Sequence, residues 1–521
     1  MKTIFLTLVR AILVLSGASS LEELEESELE RYQRLSEHPI NINIANRTAM
    51  QSSGLFSTFQ LQSLLRYREE YGDILSFTEL SLVSGFDEEI SDALKEFVTL
   101  DSPLPPGQKP HTGTSGSLMT RASIRKDSGK DAESTWGIKA SLAYADKAEI
   151  YWSQRSTYGA KAVWPGTVSG AFYARRVPLK VLAGNFAARF GQGLTQWSGF
   201  SLSSLNSPAA FVKNAGGLAP TSTFSPELLG AGAEYSIGNV VISAAADFKK
   251  GFNPMANITW TTRNVSAGLT ATAEKVGADL RWAIPDASIF SEVSCRYKGG
   301  LAAIGGIIWV PAYGNKVAVQ ARWFQPAFKK DYSGLAACFQ NKWLGASAEA
   351  DWHFANEAAQ YKAFLQAAPA LHIGPLDLKP GLRLSTRYRP ASSPQWRTDL
   401  RAELEASSGP WGLDARYNLL WCRSRAWLWY TEPGYTTERL ALHARFTLFK
   451  IDNWDDRIYV YECDAPGTFN VPAYYGRGWS VSLVAAAKLG RHALHARFAA
   501  TQYISSKPNR LEAKLQYSMK F

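Results

Sequence analysis

The sequence predicts an all-β transmembrane barrel, antiparallel and of about 22–26 strands, preceded by a small all-α domain. Three observations lead there. The chain ends in an alternation of strict period two: Leu511, Ala513, Leu515, Tyr517, Met519 and Phe521 are apolar, and the residues between them are polar. One face of such a strand meets something oily and the other meets water. The same alternation recurs through most of the chain after residue 112. Finally, residues 21–101 carry 17 acidic against 6 basic residues, while 102–521 carry a net +19, so the two parts differ in kind.

In chain order, residues 1–20 read as a secretory signal: Lys2, a short apolar run interrupted by Arg10, and small residues from Ser16 to Ser20. Residues 21–39 form a charged helical lead-in, expected to be solvated. Residues 40–101 are helical, with Gly-centred corners at Gly54, Leu55, Phe56 and at Gly85, Phe86, Asp87. Ser76 to Glu79 has the pattern of a capping box. Residues 102–111, rich in proline, are a linker. The barrel occupies 112–521.

Within the barrel, segments near the 9–11 residues that cross a bilayer at a tilt place charges opposite apolar residues. Leu382 and Leu384 alternate with Arg383 and Ser385. Trp396, Leu400, Ala402 and Leu404 oppose Arg397, Asp399, Arg401, Glu403 and Glu405; Leu413, Ala415 and Tyr417 oppose Asp414 and Arg416. Together with Arg387, these charged residues are the expected lumen lining. They form either a salt-bridge ladder or a wall selecting anions. The strand count comes out odd, with the ambiguity between Asp146 and Val177, although bacterial barrels are even. After the fifth strand, a Ser/Gly/Pro-rich run containing Gly191, Gln192, Gly193 and Trp197 is the third external loop. It is either a pore constriction or a surface loop.

The terminal strand finishing on Tyr517 and Phe521 resembles the closing strand of bacterial outer-membrane barrels. That resemblance implies recognition by the barrel-assembly machinery and contact with outer-membrane lipid and lipopolysaccharide. Residues 41–97 contain Asn41-Ile-Asn-Ile-Ala45, the Gly54 corner, Tyr67-Arg68-x-x-x-Gly72 and the Gly85 corner. They resemble the tandem helix-hairpin-helix domain of competence DNA receptors, which implies phosphate contact at the corners. Here Phe56 and Asp87 replace the second glycine of each corner, and Asp87-Glu-Glu89 puts negative charge where a phosphate would sit. The whole resembles uncharacterised Bacteroidetes-type outer-membrane proteins joining this module to a barrel. The residues are Leu182-Ala-Gly-Asn-Phe186, Arg189-Phe-Gly-Gln-Gly-Leu194, Asp456 to Glu462 and Tyr474 to Gly478.

Catalytic and metal motifs are missing from the sequence. There is no Gly-x-Ser-x-Gly, no His-Glu-x-x-His and no phosphate-cradling loop. His492 and His495 fall on opposite faces of a strand, and Cys295, Cys338, Cys422 and Cys463 lack ligand spacing, so they read as single thiols on strands. We therefore expect no enzyme, cofactor or metal. The expected location is the outer membrane of a Gram-negative bacterium, with the helical module in the periplasm. The expected role is a channel or translocation component. Alternatives are a membrane-anchored scaffold whose acidic module docks a periplasmic protein, and a competence-like nucleic-acid binder.

Overall fold

The computed structural model describes residues 4–521 except 19, 25, 38, 46–49, 52, 102–113, 145–146, 159–161, 163–164, 175–176, 200–203, 263, 285, 313, 329–331, 356, 467, 469 and 505–506. The expected Pro-rich linker lies outside the described residues.

Twenty-four antiparallel strands close into a barrel. The first, Thr114–Asp127, pairs with the last, Arg510–Lys520. Gly116 and Phe521 add two reciprocal backbone hydrogen bonds at the seam, 2.9 and 3.0 Å. The number is even, which corrects the odd count; the ambiguous stretch holds two strands, Ala148–Arg155 and Thr167–Tyr173.

The period-two pattern sets an inside-out distribution. Leu382 is 53 % exposed and Leu511 50 %, whereas Arg401 and Arg416 are 8 % and 3 % exposed. Burying guanidiniums while exposing leucines fits only a barrel whose outer solvent is hydrocarbon. Ten exposed tryptophans on or beside the strands fall in two rings, Trp260, Trp282, Trp309, Trp343 and Trp411 toward one end and Trp136, Trp323, Trp352, Trp396 and Trp421 toward the other. Trp411 and Trp421 end one strand. At a rise of about 3.3 Å per residue and a tilt near 40°, that separation is about 25 Å along the normal, the height of a barrel's apolar band. This is a membrane-spanning barrel. The end bearing Thr114 and Phe521 also carries the short turns, and the long loops stand at the opposite end.

Helices described in full in the N-terminal region include α1 (Ile4–Ser16), α2 (Glu26–Glu37), α3 (Thr58–Tyr71), α4 (Phe77–Ser81) and α5 (Glu88–Leu94). Ser57 and Gln60 form a reciprocal capping box at α3. At α4, Ser76 caps Glu79 N–H, while the Glu79 carboxylate accepts from Leu75 N–H. A short parallel pairing of Ile40–Asn41 with Val98–Thr99 ties the ends of the module together. Asn43 holds its centre: the amide donates to Ile74 O and Leu100 O and accepts from Ile74 N–H. Arg68 donates to Ala45 O and Asn43 O. The Asn-Ile-Asn-x-Ala and Tyr-Arg elements thus have a local structural use.

The solvated lead-in is corrected. Leu21, Leu24, Leu29, Tyr32 and Leu35 are buried in one core with Met50, Leu61, Leu64, Leu94 and Phe97. The Tyr32 and Phe97 rings lie 5.4 Å apart. Helix α1 shares that core through Ala11 and Ile12. The cysteine expectation is also corrected. Cys295 and Cys338 lie on strands, but Cys422 lies in a turn and Cys463 in a loop; all four are free thiols.

Candidate functional site: a filled lumen

The acidic helical module sits in the mouth of the barrel at the short-turn end. Lys316, at the start of its strand, bonds Asp87 at 2.8 Å and Glu89 at 3.2 Å. Asp87 also caps α5 by accepting from Ile90 N–H. The expected acidic run is therefore partly taken up by the barrel itself. The turn Leu21–Glu23 reaches further, to the middle of the lumen. Glu22 lies 2.7 Å from Arg416 and 3.7 Å from Arg401, and Glu23 lies 3.0 Å from Arg383.

Those arginines need partners. Arg383 and Arg401 are directly opposite each other in register, and like charges in that position repel. Glu403, opposite Arg416, approaches Arg401 at 3.3 Å and Arg416 at 3.9 Å. Glu22, Glu23 and Glu403 thus face Arg383, Arg401 and Arg416, a neutral cluster. Burial alone would raise the Glu22 carboxyl, but Arg401 and Arg416 overcome it and hold it well below the usual carboxylate range.

Two long loops enter the lumen from the end opposite the short turns. The loop after the fifth strand is fixed by Glu292, whose carboxylate accepts backbone N–H from Gln192 (2.6 Å), Leu194 (3.1 Å) and Thr195 (2.9 Å). Gly191 passes so close that an added Cβ would lie 2.9 Å from Glu292 Oε2. Gln192 Oε1 accepts from Lys213 N–H, and the Trp197 ring lies 4.8 Å from Lys213 Nζ. Farther on, Phe211 is buried against Phe290 and Ala318, and Ser207 donates to Gly17 O at 2.6 Å.

The second loop, residues 452–475 apart from 467 and 469, is not among the inward loops that the sequence predicts. Arginines from three nearby strands grip its carbonyls: Arg397 those of Asp455 and Arg457, Arg416 that of Tyr459, Arg445 that of Tyr461. Alternate carbonyls point one way in an extended segment, so wall arginines can hold it at every second residue. Arg497 pairs with Glu462, and Lys514 with Asp464 at 2.6 Å. Tyr461 N–H donates to Glu22 at 3.1 Å, which joins this loop to the module. A clue was present: two dozen residues lacking alternation and containing Pro466 and Pro472 are too long for a simple connection.

Of the other expected lumen residues, Asp399 accepts from Asn418, Arg387 faces Arg397 in register, and Asp414 is the register partner of both Glu405 and Glu432. Glu405 lies 3.9 Å from Lys379, near the short-turn rim. The hairpin corners meet each other. Phe56 and Phe86 pack edge-on with centroids 6.1 Å apart, and Gln60 donates to Gly85 O. Both Gly54 and Gly85 have positive φ, +67° and +91°. Leu55, Phe56 and Phe86 are buried. The corners border a cavity of about 800 Å³ whose other walls are the loop after the fifth strand and strand residues such as Arg281 and Lys316. At the seam, Tyr517 OH bonds His492 at 2.7 Å.

No family profile matches the chain, and no curated protein matches it. Among solved structures, the chain is similar to the P pilus usher PapC translocation pore. Identity there is 8 %, TM-score 0.41, and coverage 78 % of this chain and 99 % of that one. It is also similar to Pseudomonas aeruginosa OpdO (11 % identity, TM-score 0.33, 78 % and 96 % coverage). A third is the Pseudomonas aeruginosa outer membrane protein OpdK (8 %, 0.31, 78 % and 99 %).

Proposed function

We propose that the protein is a gated, non-enzymatic outer-membrane conduit, closed in the described conformation by its own N-terminal module and two inward loops. The carrying observation is the ion cluster of Glu22 and Glu23 with Arg383, Arg401 and Arg416. It gives an acidic module a defined seat inside a basic barrel. Such pairs exchange for water when the lumen opens, so they suit a reversible closure better than an apolar seal. With the module displaced, the +19 of residues 102–521 would favour anions.

The test is planar-bilayer recording of the full chain. Wild type should be mostly closed, and a Glu22→Gln, Glu23→Gln double variant should conduct with anion preference in a salt gradient. A folded double variant as silent as wild type would sink the proposal.

A docking role for the module has one supporting observation. Tyr71, Leu75 and Leu82 are 72 %, 73 % and 80 % exposed, an apolar group on an otherwise acidic unit. The nucleic-acid reading has less support, since the corners that would hold phosphate are packed against each other and Asp87 is bound to Lys316. Salt-sensitive binding of duplex DNA by the full chain would revive it.

A further inference from the structure

One group of donor atoms in the lumen is not accounted for by the closure. Glu432, His443 and Cys463 bring a carboxylate oxygen, an imidazole nitrogen and a sulfur within 4.8 Å of one another. They come from three segments: the strands Arg425–Thr436 and Leu440–Ile451, and the loop 452–475. No sequence spacing could have united them. His443 Nδ1 lies 3.7 Å from Glu432 Oε1. Two ligands about 2.0–2.2 Å from a tetrahedral zinc ion are roughly 3.4 Å apart, so this pair needs little movement.

The surroundings orient the donors. Glu432 uses its other oxygen to accept from Arg445 Nε, which leaves Oε1 toward His443. The same guanidinium holds Tyr461 O at 2.7 Å, two residues before Cys463. This is the outer-shell support that metal ligands require. Asp414 adds a second carboxylate opposite Glu432. Two carboxylates and a thiol therefore gather around one guanidinium, and a divalent cation binding the thiolate would balance them.

We propose that Glu432, His443 and Cys463 form a three-ligand site for a thiophilic divalent cation of the zinc class, fastening the inward loop 452–475 to the barrel wall. Its consequence for gating rests on the conduit reading; the binding itself does not.

The test uses the full chain folded in detergent micelles, stripped with a chelator and reloaded with Zn²⁺ or Co²⁺. Wild type should retain one metal per chain through gel filtration. The Co²⁺ form should show thiolate-to-metal absorption that Cys463→Ser abolishes and Cys422→Ser preserves. His443→Gln should weaken Zn²⁺ binding at least about tenfold. Unboiled gel mobility confirms that each variant is folded. Equal metal content in wild type and Cys463→Ser, or a Co²⁺ spectrum without the thiolate band, would overturn the site. Neither readout involves conductance, so a failed metal site leaves the conduit reading standing, and the reverse.

Discussion

Replacing Glu22 by Gln removes the charge at the centre of the closure while keeping its shape. Glu22 is 11 % exposed at its side chain, Arg416 2 % and Arg401 10 %. Leaving buried charges uncompensated costs about 3–5 kcal/mol. Glu403, at 3.3 and 3.9 Å from the two arginines, keeps part of the compensation, but it is 37 % exposed and screened. We therefore expect a loss of about 2–3 kcal/mol from the closed state, a roughly 30- to 150-fold shift toward open at about 1.4 kcal/mol per decade. Single-channel dwell times of the full chain in symmetric salt measure it directly. A closed-to-open ratio for Glu22→Gln within twofold of wild type would refute the reasoning. Acidity provides a second arm. The seated Glu22 carboxyl lies well below its ordinary value of 4.5, to which it returns on release. A depressed value stabilises the closed state fully above about 4.5 and is lost only as pH falls through the depressed value. Wild type should thus show no Glu22-dependent opening between pH 8 and 5, and opening across that window that Glu22→Gln eliminates would contradict the assignment.

Arg383→Glu alone should open the lumen, and adding Glu23→Arg should restore at least half of the closure, since the two groups lie 3.0 Å apart; independent effects in the double-mutant cycle would refute the contact. Glu292→Ala leaves three buried N–H groups unpaired, each costing about 1–3 kcal/mol. Trypsin should then cut the folded barrel after Lys213, where wild type resists. Gly116→Val would set a Cβ 2.5 Å from Phe521 Cζ and 2.7 Å from Ser141 O. The yield of heat-modifiable barrel should fall severalfold; unchanged yield would show that the seam yields easily. Removal of residues 1–20 on export would take α1 out of the module core, and intact mass of the protein from outer membranes should show a chain beginning near Leu21.

The partition between lipid face and lumen was legible because it is local. A strand turns successive side chains to opposite sides, so Leu382 outside and Arg383 inside follow from spacing alone. The third external loop was legible as a long Ser/Gly/Pro segment, but its course was not. Buried acceptors for its N–H groups come from later in the chain, Glu292 about a hundred residues on and Glu349 farther still. The cluster that closes the lumen was half visible. Arg383, Arg401 and Arg416 stood out as charges facing inward, whereas Glu22 and Glu23 looked like part of a solvated helix.

The sequence by itself determined that this is a membrane barrel, that a separate acidic helical unit precedes it, and that the two carry opposite charge. Where that unit sits was decided by tertiary structure alone. Glu22 and Arg416 are 394 positions apart, and no local periodicity relates residues so distant. Their meeting depends on closure of the barrel, which sets guanidiniums around a desolvated space where Glu403 supplies one opposing charge and Glu22 and Glu23, from the start of the chain, supply the others.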